Sequence, residues 1–300
     1  MDRQELYAQI NAGMTQERFH SFERSLRLNK PFIARWGGLH PLVAELKDRH
    51  VVVCGAGPTL EEGMPHLKKI SERANVALIA ADMAYRPLLR AGIHPRYAIS
   101  CETTPRDFFA GLDTSKTTLL AFSCVCPRTV REWKGPIRFY NWLLRGEPWD
   151  ALWNEAGTSL GFAATGSIVT SQALSIALGC GAQSVMLAGN DLGFADHCYA
   201  RGTVRDAGVI AACTRRAPLD AIEFSAAWRA RHYVIPRGEK KYYTNHQFLA
   251  AKYWMEDTAS KSRIPVYDAG IPGCSPGKVE KLGMKHYAEM VLSSRKGVWQ

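Results

Sequence analysis

The feature that most constrains this chain is a short unbroken apolar run, Val51-Val52-Val53-Cys54, that stops at Gly55-Ala56-Gly57-Pro58-Thr59. An apolar run with no polar alternation is the pattern of a strand buried on both faces, as in parallel sheets covered by helices. The pattern recurs at 76–81 and 97–101, then at 118–122, 137–140 and 184–188. Between these runs lie amphipathic stretches, with helices expected over 85–90 and 167–178 and Gly92, Gly179 and Gly181 as stops. Short strands alternating with helices specify right-handed βαβ crossovers, so the expected fold is α/β, a Rossmann-like parallel sheet with helices on both faces. A polar-rich helix is expected from 4 to about 28, ending near Asn29-Lys30-Pro31, and the chain turns mostly helical after Gly202, over 219–231, 245–260 and 276–294. The organisation predicted is a helical N-terminal extension (1–44), a nucleotide-binding core (45–205) and a mostly helical C-terminal region (206–300).

Composition narrows the function. A 300-residue chain that is 46% hydrophobic and 22% charged is of ordinary globular make-up, which excludes a disordered or fibrous protein. No run approaches the ~20 apolar residues of a membrane span. The first residues are charged and lack the apolar core of a signal peptide, so the expected location is cytoplasmic. Lys and Arg exceed Asp and Glu by 38 to 28, a net charge of +10, which favours anionic partners. The basic residues are dispersed, densest over 229–241, and no nucleic-acid-binding motif is present, so no nucleic-acid partner is expected. Of the eight cysteines, Cys54, Cys101, Cys124 and Cys180 lie in or beside apolar segments, and Cys124-Val125-Cys126 has no second pair to complete a zinc site. They read as structural thiols, with no metal site.

In open α/β sheets, ligands bind outside the carboxyl ends of the strands, and the unusual residues fall there. Gly55 and Gly57 permit a tight turn and close backbone approach, Pro58 suits a helix's first turn, and Thr59 offers a hydroxyl beside unpaired helix N–H groups. This is not a Walker loop, because no Gly-Lys-[Ser/Thr] follows, nor the dinucleotide fingerprint, because Leu60 occupies the third-glycine position. Asp82 follows the second strand as a helix cap, a ligand-facing carboxylate, or both, and Glu102 follows the third. Thr165-Gly166-Ser167 opens a helix with small hydroxyl residues suited to an anion. Gly189-Asn190-Asp191 ends the last strand, with Asp196, His197 and Tyr199 just beyond.

Three ordered blocks, GAGPTLEE, AADMAYRPLLRAGIHPRYAISCE and ATGSIVTSQALSIALGCGAQSVMLAGNDLGF, resemble the 6-hydroxymethylpterin pyrophosphokinase MptE-like family. That family includes the motility accessory factors, which glycosylate flagellin with nonulosonic sugars. The first and last blocks are also similar to bacterial sialyltransferases. The resemblance covers about residues 45–205. It implies that Gly55, Gly57, Pro58 and Thr59 hold a nucleotide's phosphate and ribose. It further implies that Asp82, Glu102, Thr165, Gly166, Ser167 and Asn190 complete the nucleotide site, and that Asp191 matches a strand-end Asp of the catalytic set. Flagellin-type members place a His before Ala-x-Gly-Thr; here Tyr199 precedes Ala200-Arg201-Gly202-Thr203 and His197 lies two residues earlier. His197 is then the candidate base, and Tyr199 or Arg201 the partner of a departing phosphate, on a flap over 196–203. The implied partners are a CMP-activated acidic sugar donor and a flagellin or surface-glycan acceptor, with no cofactor required. The alternatives are transfer of ATP's diphosphate to a pterin alcohol, which needs Mg²⁺ at Asp82, Glu102 or Asp191, and non-catalytic nucleotide-sugar binding.

Overall fold

A computed structural model describes residues 3–194, 197–204, 214, 233–237, 240–272 and 274–294. Helices α1 (Arg3–Trp36) and α2 (His40–Leu46) precede the first strand. Then follow β1 (His50–Cys54), α3 (Thr59–Ile70), β2 (Val76–Ala81), α4 (Asp82–Arg90), β3 (Tyr97–Ser100), β4 (Thr118–Phe122), α5 (Pro127–Glu132) and β5 (Ile137–Trp142). Next come α6 (Trp149–Ala156), β6 (Phe162–Ala163), α7 (Val169–Gly179), β7 (Ser184–Ala188), β8 (Tyr233–Arg237) and β9 (Lys240–Thr244). The last elements are α8 (His246–Lys261), β10 (Val266–Asp268), β11 (Glu280–Lys281) and α9 (Met284–Ser293). Nine strands form one sheet in the order β11-β10-β7-β1-β2-β3-β4-β5-β6, and each pairing is parallel. Every residue of β1, β2, β3 and β7 is buried, so helices cover both faces, as the unbroken apolar runs require. This is a Rossmann-like α/β fold. The order reverses between β1 and β7, which makes that junction the topological switch point.

Outside the sheet, the long α1 contacts α5, α6, β5 and α8. Its Phe22 sits edge-on to Phe122 and Trp142, with ring centroids 5.8 and 5.6 Å away, and Phe122 stacks on Trp142 at 4.0 Å. The helix does not stop near Pro31 but runs on to Trp36. Pro31 removes one intrahelical bond, but tertiary contacts override that local cost. One such contact is Asn29, fully buried, whose Nδ2 donates to the carbonyls of Ser123 and Val125 at 3.0 and 2.8 Å.

Other boundaries differ as well. The sheet does not end at 205, because β10 pairs with β7 and β11 with β10. The C-terminal region also holds the antiparallel β8–β9 hairpin. Three- and two-residue strands carry too little periodicity to be read from sequence. The last helix begins at Met284, not at 276, and α7 begins at Val169. The helix expected over 219–231, Asp196, and most of the basic stretch over 229–241 lie outside the described residues. Cys54, Cys124, Cys126, Cys180 and Cys274 are buried.

Because Phe22 is buried against Phe122 and Trp142, Phe22→Ala is expected to lower the unfolding free energy by about 3–5 kcal/mol, measured by urea denaturation.

Candidate functional site

At the switch point the loops after β1 and β7 lie back to back. The Gly55 amide donates to the Ala188 carbonyl and the Gly57 amide to the Gly189 carbonyl, each at 2.8 Å. Gly189 has φ +67°, and a Cβ there would stand 2.6 Å from the Gly55 carbonyl oxygen. A Cβ on Gly57 would run into the Asp191 carboxylate. These glycines are therefore required by loop-to-loop contact, whatever the ligand. Asp191 is almost fully buried and accepts from the Thr59 amide at 2.9 Å, the Thr59 hydroxyl at 2.6 Å and the Ile271 amide at 3.1 Å. Burial pushes its pKa up against those hydrogen bonds. It caps α3 from across the junction, a role no local sequence pattern reveals.

A cleft of about 810 Å³ opens over these strand ends. Gly55, Gly57, Asp82, Glu102, Thr165, Ser167, Asn190, Asp191 and Tyr199 all line it. Pro58, Thr59, Gly166 and His197 do not. Thr59 spends its hydroxyl on Asp191. Gly166 is needed because a Cβ would stand 2.7 Å from the Trp254 side chain of α8. His197 Nε2 faces Glu61 Oε1 on α3 at 3.4 Å. The same Glu61 oxygen accepts from the Arg201 amide at 2.7 Å, and the Ala200 amide donates to the Ala56 carbonyl at 2.8 Å. The segment after β7 is thus tied to α3, with Tyr199 turned to the cleft and His197 to the helix.

Opposite the β1 loop stands the N-terminus of α7, which has no side-chain cap. Ser167 just before it takes φ +76°, in the left-handed region that strains a non-glycine residue, and Leu192, also lining the cleft, takes +53°. The Thr170 hydroxyl in the first turn is buried and, among the described residues, has no hydrogen-bond partner; the same holds for Asn190 Oδ1. Asn190 Nδ2 is anchored to the carbonyls of Val53 and Ala188, which fixes Oδ1 as an acceptor. Buried orphan groups beside an open helix N-terminus are what a bound anion or ribose hydroxyl would satisfy. Below them the Tyr140 hydroxyl donates to Gln172 Oε1 at 2.6 Å, and Gln172 Nε2 donates to the Thr165 hydroxyl oxygen at 3.1 Å. The Ser167 amide also donates to that oxygen, leaving the Thr165 proton to donate elsewhere.

The charged lining is mixed. Asp82 begins α4 and is buried, its oxygens accepting from the Met83 amide at 2.8 Å and the Ser100 hydroxyl at 2.9 Å. Burial raises its pKa to about 6, and the Glu102 charge adds to the rise. Glu102 Oε1 accepts from the Thr104 amide and hydroxyl, while its Oε2 lies 3.9 Å from Arg106. Among the described residues no three His, Cys, Asp or Glu side chains converge as metal ligands. Sequence reasoning missed Arg18, Arg106, Thr170, Gln172 and His246, which also line the cleft. A Thr and a Gln inside the helix that follows Thr165-Gly166-Ser167 were the available signal for two of them.

The two buried aspartates should respond oppositely to substitution. Asp82 keeps its proton up to about pH 6 in the folded chain and loses it near the ordinary value when unfolded. The folded state therefore binds the extra proton in that window, and stability declines as pH rises through it, by roughly 3 kcal/mol in all. Asp82→Asn should flatten the slope and raise the unfolding free energy at pH 8 by about 1–3 kcal/mol. Asp191→Ala leaves buried donors unpaired and should lower it by about 2–4 kcal/mol at every pH. Urea denaturation at acid, neutral and alkaline pH measures both.

Comparison with known proteins fits this geometry. The chain matches the family model described as 6-hydroxymethylpterin diphosphokinase MptE-like over residues 25–197, more than half its length. No curated protein matches it. Among solved structures it is similar to the MAf glycosyltransferase from Magnetospirillum magneticum AMB-1, at 17% identity and a TM-score of 0.56, with 85% of this chain and 35% of that chain covered. The chain thus spans about a third of the length of that protein, and the likeness is one of fold. The family match runs from the second half of α1 through both loops of the switch point, and on that ground the chain belongs to the MptE-like family.

Proposed function

We propose that this protein is a glycosyltransferase that moves a nonulosonic, sialic-acid-like sugar from a CMP-activated donor to a hydroxyl of flagellin or a surface glycan, in the cytoplasm. The observation that carries this reading is the pair of unsatisfied buried groups, Thr170 Oγ1 and Asn190 Oδ1, in one cleft with the uncapped start of α7. They suit a phosphate at the helix N-terminus and a donor group of the nucleoside at Asn190. Among the described residues no lysine lines the cleft, which fits a monophosphate ester better than a triphosphate. The fold shared with a MAf glycosyltransferase supports sugar transfer.

In the proposed reaction the bond from the sugar's anomeric carbon to the CMP phosphate oxygen breaks, and its electron pair leaves with CMP. The acceptor oxygen bonds to that carbon, and its proton passes to a base. Asp82 suits this better than His197: it lines the cleft, and a pKa near 6 leaves it ionised yet basic at neutral pH. Tyr199, which lines the cleft, would donate to the departing phosphate together with the α7 amides. The second reading, diphosphate transfer from ATP, rests on Asp82 and Glu102 lining the same cleft at adjacent strand ends. Two carboxylates with phosphate oxygens fit one Mg²⁺, which would supply charge neutralisation there.

Isothermal titration with CMP, CTP, ATP and ADP, each with and without Mg²⁺, separates the two. Sugar transfer predicts CMP binding that does not depend on metal and weakens about tenfold in Thr170→Val. ATP binding that requires Mg²⁺, with CMP silent, would replace it by diphosphate transfer. Asp82→Asn should abolish turnover at unchanged CMP affinity, whereas loss of CMP affinity would assign Asp82 to binding.

A further inference from the structure

Helix α1 lies outside the nucleotide-binding strands, yet it delivers a charged group to the cleft. Phe22 is wedged against Trp142 of β5, and both residues line the cleft. Arg18 stands one turn earlier on the same face of the helix and lines it too. Among the described residues its guanidinium has no hydrogen bond or ion pair, although Asp82 and Glu102 share the cleft. The Asp82 oxygens are engaged by Met83 and Ser100, and Glu102 Oε1 by Thr104. Among the described residues Arg106, the other arginine of the lining, is approached only by Glu102, at a loose 3.9 Å. The start of α7 lies by the same strands: its Gln172 accepts from the Tyr140 hydroxyl of β5 at 2.6 Å and donates to the Cys101 sulfur just beyond β3 at 3.5 Å.

We propose that Arg18, assisted by Arg106, forms a second anion subsite of the cleft that takes the carboxylate of the donor's acidic sugar. A guanidinium matches a carboxylate with two parallel N–H···O bonds, and one held without a protein partner gives up no existing pair to do so. The subsite would make the long N-terminal helix a determinant of sugar specificity as well as a packing element. It rests on the nucleotide-sugar reading of the cleft.

The test is titration of the full chain with CMP and with CMP-N-acetylneuraminate, for the parent, Arg18→Gln, Arg18→Lys and Arg106→Gln. Arg18 is exposed, so its replacement should leave the melting temperature in place. The expected result is that the parent binds the sugar nucleotide more tightly than CMP. Arg18→Gln should weaken the sugar nucleotide about tenfold or more while CMP changes by less than about twofold. Arg18→Lys should recover part of the loss, and Arg106→Gln should show a smaller one. Equal weakening of both ligands, or of neither, would overturn the subsite while leaving the nucleotide site standing. A parent that binds neither ligand would overturn the nucleotide-sugar reading and the subsite with it.

Discussion

The site depends on one buried carboxylate. Asp191 draws the start of α3, the end of β7 and the turn at Ile271 to a single point with three hydrogen bonds. Parallel strands that diverge to opposite sides of β1 leave a crevice at their carboxyl ends, and something must close its floor. Here the floor is closed by backbone contact between two glycine turns, locked by that carboxylate. The burial that raises its pKa is offset by its donors, and the strength of such a clamp lies in the cost of leaving those donors unpaired. Asp268 fixes the same corner from the other side: it accepts from the Gly270 amide at 3.1 Å and pairs with Lys281. Strands β10 and β11 thus support the site instead of merely extending the sheet.

Above this floor the structure stores strain and unsatisfied polarity together. Ser167 and Leu192 occupy the left-handed region, and Thr170 and Asn190 hold buried groups without partners among the described residues, all in one cleft. Each feature alone lowers stability by about 1–3 kcal/mol. Their convergence beside an open helix N-terminus is the physical argument for a ligand, since a ligand can satisfy the groups that the chain leaves open. Asp82 follows the same logic, because its ionised form is disfavoured by the burial that makes it a better base.

Much of the architecture could be read from the residues. The runs at 51–54, 76–81 and 184–188 are strands because a fully buried strand needs no alternation, and the glycine turn after β1 marks the crevice. What escaped is what tertiary contact decides. Pro31 stands inside α1 because Asn29 and Phe22 hold the helix in place. The Thr59 hydroxyl, so placed in sequence as to suggest a phosphate ligand, is claimed by a residue 132 positions away. His197 was legible as a reactive side chain but not as a neighbour of Glu61. Arg18 gave no local signal, because only the docking of α1 on β5 brings it to the cleft.

The central claim is that the junction between the β1 loop and the start of α7 is a nucleotide site. Hydrogen–deuterium exchange of the full chain, with and without saturating CMP, tests it most directly. The account predicts that amide protection rises over residues 55–59 and 166–172, on the two sides of one cleft, with little change in β4 and β5. Protection confined to other segments, or exchange unchanged at saturating nucleotide, would contradict it.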